Sequence, residues 1–165
     1  MKFTNLLIVF ALAFSVFGCV SKITAPTSGS TAKLTVEVPN FAEKQSILMN
    51  ESVWFNIATP DESWGGQQVI KSDEPVHTFM IPAEKTLNDS LSLLQGGGGF
   101  DSVCALHLEM NPPENADLKL RFILERQRGD EKVTGCIAEL YLDGKLVHTY
   151  RGGATITHYI VKFTY

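Results

Sequence analysis

Along most of this chain the hydrophobic positions recur every second residue. Leu34, Val36 and Val38 alternate with Thr and Glu as far as Pro39. Ser52 to Thr59, "SVWFNIAT", does the same and stops at Pro60; Val76 to Ile81 stops at Pro82. Farther on, Cys104, Leu106, Leu108 and Met110 fall on one face. So do Leu118, Leu120, Phe122 and Leu124, and then Cys136, Ala138, Leu140 and Leu142. Successive side chains of a strand point to opposite faces, so each run predicts a half-buried β-strand. "NPPENAD" reads as a turn, and Asp143-Gly144 as a two-residue hairpin loop. "KLVHTY", Gly152-Gly153 and "TITHYIVKFTY" close the chain.

One segment breaks the pattern. In "AEKTLNDSLSLLQG", Leu87, Leu91 and Leu94 stand at i, i+4 and i+7, and Gly96 follows. That spacing predicts one short helix with a glycine C-cap. The whole of residues 34–165 then reads as an all-β domain, an antiparallel β-sandwich of seven or eight strands with that helix.

The N-terminus differs in kind. After Lys2, Leu6 to Phe17 is twelve residues, all apolar except Ser15. A bilayer span needs about 20 apolar residues, so the segment fits the core of a secretory signal peptide. Its boundary, Val16-Phe17-Gly18-Cys19, resembles the lipobox of bacterial lipoproteins, with a branched aliphatic residue at −3, a small residue at −1 and Cys at +1. The resemblance implies removal of residues 1–18 and a diacylglycerol on the Cys19 sulfur. It also implies an N-acyl chain, more than enough for stable anchoring. Val20 at +2, where Asp would mark inner-membrane retention, implies sorting to the outer membrane, facing the periplasm. Residues 19–33 are rich in Ser, Thr, Gly, Ala and Pro and read as a lipidated flexible tether.

Charge and chemistry narrow the function. The formal net charge is −4, and Lys2 lies in the leader, so the mature chain is more acidic still. That argues against nucleic acid, which selects a basic face; membrane contact falls to the acyl chains. Cys104 and Cys136 share inward parity in an oxidising compartment, which predicts a disulfide, with two buried free thiols as the alternative. None of the four histidines has metal-ligand spacing. His148 would face His158 across a three-residue loop at Gly152-Gly153, or Thr157 across a two-residue loop. Gly96 to Gly99 lacks the Lys-Ser/Thr of a phosphate loop, and no nucleophile elbow occurs. The expectation is a non-enzymatic protein without a cofactor or resident metal.

The hairpin around Asp143-Gly144 carries more apolar surface than one core takes. A two-residue turn places Leu140 opposite Val147 and Tyr141 opposite Leu146. One face then holds Cys136, Ala138, Leu140, Leu142 and Val147, the other Ile137, Tyr141, Leu146 and Tyr150. The second face must be covered by the Leu87–Leu94 segment or meet a partner, either an envelope protein or a second copy of the chain.

From Cys104 through the Pro-Pro turn, "LKLRF" and "GCIAELYLDGKLV", the chain looks like small bacterial envelope lipoproteins with an immunoglobulin- or transthyretin-like sandwich. The resemblance implies an interaction or structural role in the envelope. A type VI secretion lipoprotein of transthyretin-like fold is one alternative. An envelope enzyme, or a small-ligand or metal binder using His148 and His158, is another. The terminal alternation of Tyr159, Val161, Phe163 and Tyr165 is similar to the last strand of outer-membrane barrels. The alternating runs read from the sequence are mostly shorter than the 9–11 residues such a barrel needs, which favours a terminal strand of the sandwich. Labelled palmitate is expected to enter the wild-type protein and to be absent from Cys19→Ser; equal labelling of the two would refute the lipobox.

Overall fold

A computed structural model describes residues 21–39, 41, 50–97, 100–126, 133–153 and 156–163. The leader, Cys19 and Val20 lie outside the described residues. Ten strands follow one another: β1 (Thr31–Glu37), β2 (Asn50–Ala58), β3 (Gly65–Ile70), β4 (Val76–Pro82), β5 (Leu87–Gly97), β6 (Phe100–Met110), β7 (Asp117–Arg126), β8 (Val133–Leu142), β9 (Lys145–Gly153) and β10 (Ile156–Ile160). They form two five-stranded sheets, ordered β4-β1-β7-β8-β9 and β10-β6-β5-β2-β3. Pairing is antiparallel except where β1 meets β7 and β10 meets β6. The sandwich expected from the alternation is present, with more strands than the seven or eight anticipated.

The inward faces are those the alternation marks. Leu34, Val36, Cys104, Leu106, Leu118, Leu120, Phe122, Cys136, Ala138 and Leu140 are all buried. Phe55 of β2 stacks on Phe79 of β4 with ring centroids 5.8 Å apart, so aromatic contact reaches across the two sheets. At the hairpin, Asp143 (φ 49°) and Gly144 (φ 78°) both take left-handed backbone, the geometry of a type I′ turn.

The expected helix does not form. Leu87 to Gly97 is β5, paired with β2 on one side and β6 on the other. Leu87, Leu91 and Leu93 point into the core, together with Asp89 and Gln95, while Leu94 faces solvent. Polar residues at two inward positions interrupted the period of two. Gly65 to Ile70, unanticipated as a strand, forms the edge β3.

The tether is also shorter than expected. Residues 31–33 belong to β1, and the segment before it is docked on the domain. Gln67 N–H donates to the Ser21 carbonyl at 2.9 Å, Lys22 bridges Gln67 in parallel register, and Ile23 is buried. Trp64 Nε1 donates to the Thr24 carbonyl at 3.0 Å. A hydrophobic Ile and an unpaired strand edge gave this Ser/Thr-rich segment something to bury and bond.

A covalent link and a polar one tie the sheets together at one corner. Cys104 of β6 is bonded to Cys136 of β8, with Cα atoms 6.1 Å apart. Near it, Arg126 of β7 grips the buried Glu51 of β2 through both guanidinium nitrogens, at 2.8 and 2.9 Å. Gln95 of β5 donates to Glu51 and accepts from the Val133 amide of β8 at 3.0 Å. Mass mapping of the unreduced protein should recover one Cys104–Cys136 peptide pair. The loop-closure entropy of a 32-residue separation predicts that Cys104→Ala/Cys136→Ala lowers the urea-unfolding free energy by about 3.5 kcal/mol.

Candidate functional site

The outer face of β8 and β9 begins with a local irregularity. Tyr141 pairs with Leu146, as the two-residue turn requires, but the register then shifts and Leu140 pairs with His148. The extra residue is Val147, which is exposed instead of facing the core beside Leu140. A bulge of one residue reverses the faces of every position beyond it. His148, Tyr150 and Gly152 consequently turn inward. Tyr150, expected on the outer face with Ile137, Tyr141 and Leu146, is a core residue at 8% exposure.

The other three do face outward, without forming one apolar sheet face. Glu139 stands between Ile137 and Tyr141 and pairs with Arg121 at 2.8 Å. The Tyr141 hydroxyl donates to Glu139 at 2.9 Å. Arg151 pairs with Glu125 at 2.9 Å on the same side. Ile137 is half-buried opposite Ile123. Tyr141 and Leu146 make a separate corner with Val147, where Leu146 is 51% exposed. The segment Leu87–Gly97 belongs to the other sheet, so it does not cover this face.

The histidines are not brought together as a hairpin would require. The chain crosses to the second sheet after β9, and His158 is the register partner of His107 across β10 and β6. His148 Nε2 lies 3.0 Å from the Lys162 carbonyl and its ring is 5.7 Å from that of Tyr150. Among the described residues, no group of three His, Cys, Asp or Glu side chains is placed to hold a metal.

A concavity that sequence reasoning missed lies on the outer face of the second sheet. This cleft of about 410 Å³ is lined by Ser21, Asn56, Trp64, Gly66, Ser90 and His107, among others. Asn56, Ser90 and His107 come from the neighbouring strands β2, β5 and β6, and Asn56 Nδ2 donates to Ser90 Oγ at 3.2 Å. The docked N-terminal segment makes one wall. The signal for it was faint: polar residues at outward strand positions, whose strand assignments for β3 and β5 were themselves missing.

Comparison with known protein families, with curated proteins and with solved structures finds no match to this chain.

One buried group stands apart from the ion pair. Asp89 is 3% exposed, and its carboxyl has no hydrogen bond from another residue. Burial pushes its pKa well above the usual carboxylate range, and only its own backbone N–H pulls the other way. The folded state therefore keeps a proton that the unfolded chain releases as pH rises through its ordinary value of 3.8. Stability from this group is complete below that pH and declines as pH climbs toward the folded value. Asp89→Asn should raise the urea midpoint at pH 7 and leave it nearly unchanged at pH 4; an equal shift at both would deny the proton linkage.

Proposed function

We propose that this chain is a lipoprotein anchored to the outer membrane through acyl chains on Cys19, and that its sandwich works in the periplasm by contact with another envelope protein. The apolar leader ending in Gly18-Cys19 supports the anchor. The observation that carries the contact role is the corner of Tyr141, Leu146 and Val147. It joins Tyr141 of β8 to β9, a sheet edge, where the bulge turns two successive aliphatic residues, Leu146 and Val147, toward solvent. Exposed apolar edges are ordinarily suppressed because they invite pairing. Tyrosine is favoured in contact surfaces, offering broad area and a hydroxyl at low entropic cost. The Arg121–Glu139 ion pair beside it supplies a polar rim.

Tyr141→Asp tests the reading. The side chain lies outside the core, so the variant should keep its melting temperature. A photo-crosslinker at Leu146 should form an adduct with one envelope protein in intact cells, and Tyr141→Asp should weaken that adduct. Loss of stability with the adduct unchanged would count against a contact role for this corner.

A further inference from the structure

We infer that the sandwich sits directly on the lipid headgroups, with the end of the fold at the β2–β3 loop toward the membrane. The inference rests on acylation of Cys19. It starts from the docked N-terminal segment. Fifteen freely moving residues, Cys19 to Lys33, could extend about 50 Å and let the domain drift far from the bilayer. Ser21, however, is hydrogen-bonded to Gln67 on the β3 edge and Ile23 is buried. Only Val20 separates Cys19 from Ser21, a contour of about 7 Å. The headgroup layer is itself roughly 5–7 Å thick, so acyl chains on Cys19 bring the β3 edge into contact with it.

The chain direction selects which end is lowered. Lys22 pairs with Gln67 in parallel register, so the N-terminal side of Ser21 lies toward the Gly65 end of β3. At that end are the loop 59–64 and the connections 83–86, 111–116 and 143–144. Loop 59–64 is built to hold its shape. Asp61 accepts from Ser63 N–H at 3.1 Å and Ser63 Oγ at 2.8 Å. Hydrogen bonds from Thr59 and Ser63 hold the Asp61 carboxyl down at about 2. The opposite end, with the 71–75 connection, is reached along β3 and β4, strands of six and seven residues, and stands off by about 20–23 Å.

Close packing of the segment depends on Gly66. A Cβ there would stand 2.7 Å from both Ile23 N and Ser21 O, too close for either backbone to tolerate. The surface lowered beside β3 mixes both charges, with Asp61, Glu62 and Glu84 beside Lys85; the Tyr141–Leu146–Val147 corner shares this end of the fold but lies at the opposite edge, at β8 and β9. The lowered surface has no basic cluster to seek anionic lipid unaided, and its contact with headgroups is imposed by the short link to the acyl chains.

The test uses the full acylated chain in vesicles of phosphatidylethanolamine and phosphatidylglycerol with a headgroup-bound quencher. Fluorophores are placed at Lys85→Cys, near loop 59–64, and at Asp73→Cys, at the far end, both exposed positions. Quenching should be several-fold stronger at 85 than at 73. A flexible Gly-Ser insertion of about ten residues after Val20 should abolish the difference. Gly66→Ala should reduce it by displacing the segment. Mass measurement of the same sample reports acylation: an acylated protein quenched equally at both sites overturns the seating alone, and a protein without acyl groups overturns the anchor and the seating together.

Discussion

Two sheets share one core only while something holds them face to face, and here the Cys104–Cys136 bond does so between β6 and β8. Its position explains much else. Beside it, Glu51, Gln95, Arg126 and Val133 repeat the same sheet-to-sheet connection in polar form. A buried ion pair of this type adds little net stability, since the cost of removing two charges from water offsets most of their attraction. Its geometry is nonetheless demanding. Arg126 reaches Glu51 with both nitrogens only when β7 and β2 are in the right relative position, so the pair discriminates among registers that the disulfide alone would permit. Away from this corner the sheets are held by side-chain packing such as Phe55 on Phe79.

Where the pattern in the sequence obeyed a single physical rule, the fold was legible. The inward faces of β6, β7 and β8 follow from alternation because each lies in the interior of a sheet with one face on the core. β5 was misread because tertiary context overrode local pattern. Asp89 and Gln95 occupy inward positions, and with them subtracted the remaining leucines mimic a helical repeat. Register errors came from features with no local signature. The bulge after Leu140 adds one residue, exposes Val147 and sends Tyr150 into the core. The crossing of β10 to the second sheet placed His158 opposite His107, a consequence of parallel pairing that hairpin reasoning could not contain. Of the candidate contact residues, Tyr141 and Leu146 were correctly opposed because both lie between the bulge and the turn.

The N-terminal segment shows how composition can mislead. Val20 to Lys33 has the makeup of a linker, yet composition describes what a segment can bury on its own. Here the strand edge of β3 offers unpaired backbone groups, and Gly66 leaves the space that a side chain would fill. Polar segments dock readily under those terms, since their own backbone supplies the bonds and only Ile23 needs burial. The same docking covers an edge that would otherwise be open to pairing with another chain. Edge protection and close tethering thus arise from one contact.

Glu51 and Asp89 lie on adjacent strands of one sheet and are almost equally buried, at 2% and 3% exposure. Their circumstances differ through partners alone. Glu51 receives a guanidinium and an amide, which replace the water it lost. Asp89 receives nothing from any other residue, and burial leaves the neutral acid as its favourable form. Its register neighbours, Ile57 and Leu108, are both buried and apolar and offer it no donor. A leucine at this position would continue the core and an asparagine would avoid the titration. The carboxyl is thus a standing cost to the fold at neutral pH, and Asp89 lines the cleft together with its strand neighbours Asn88 and Ser90.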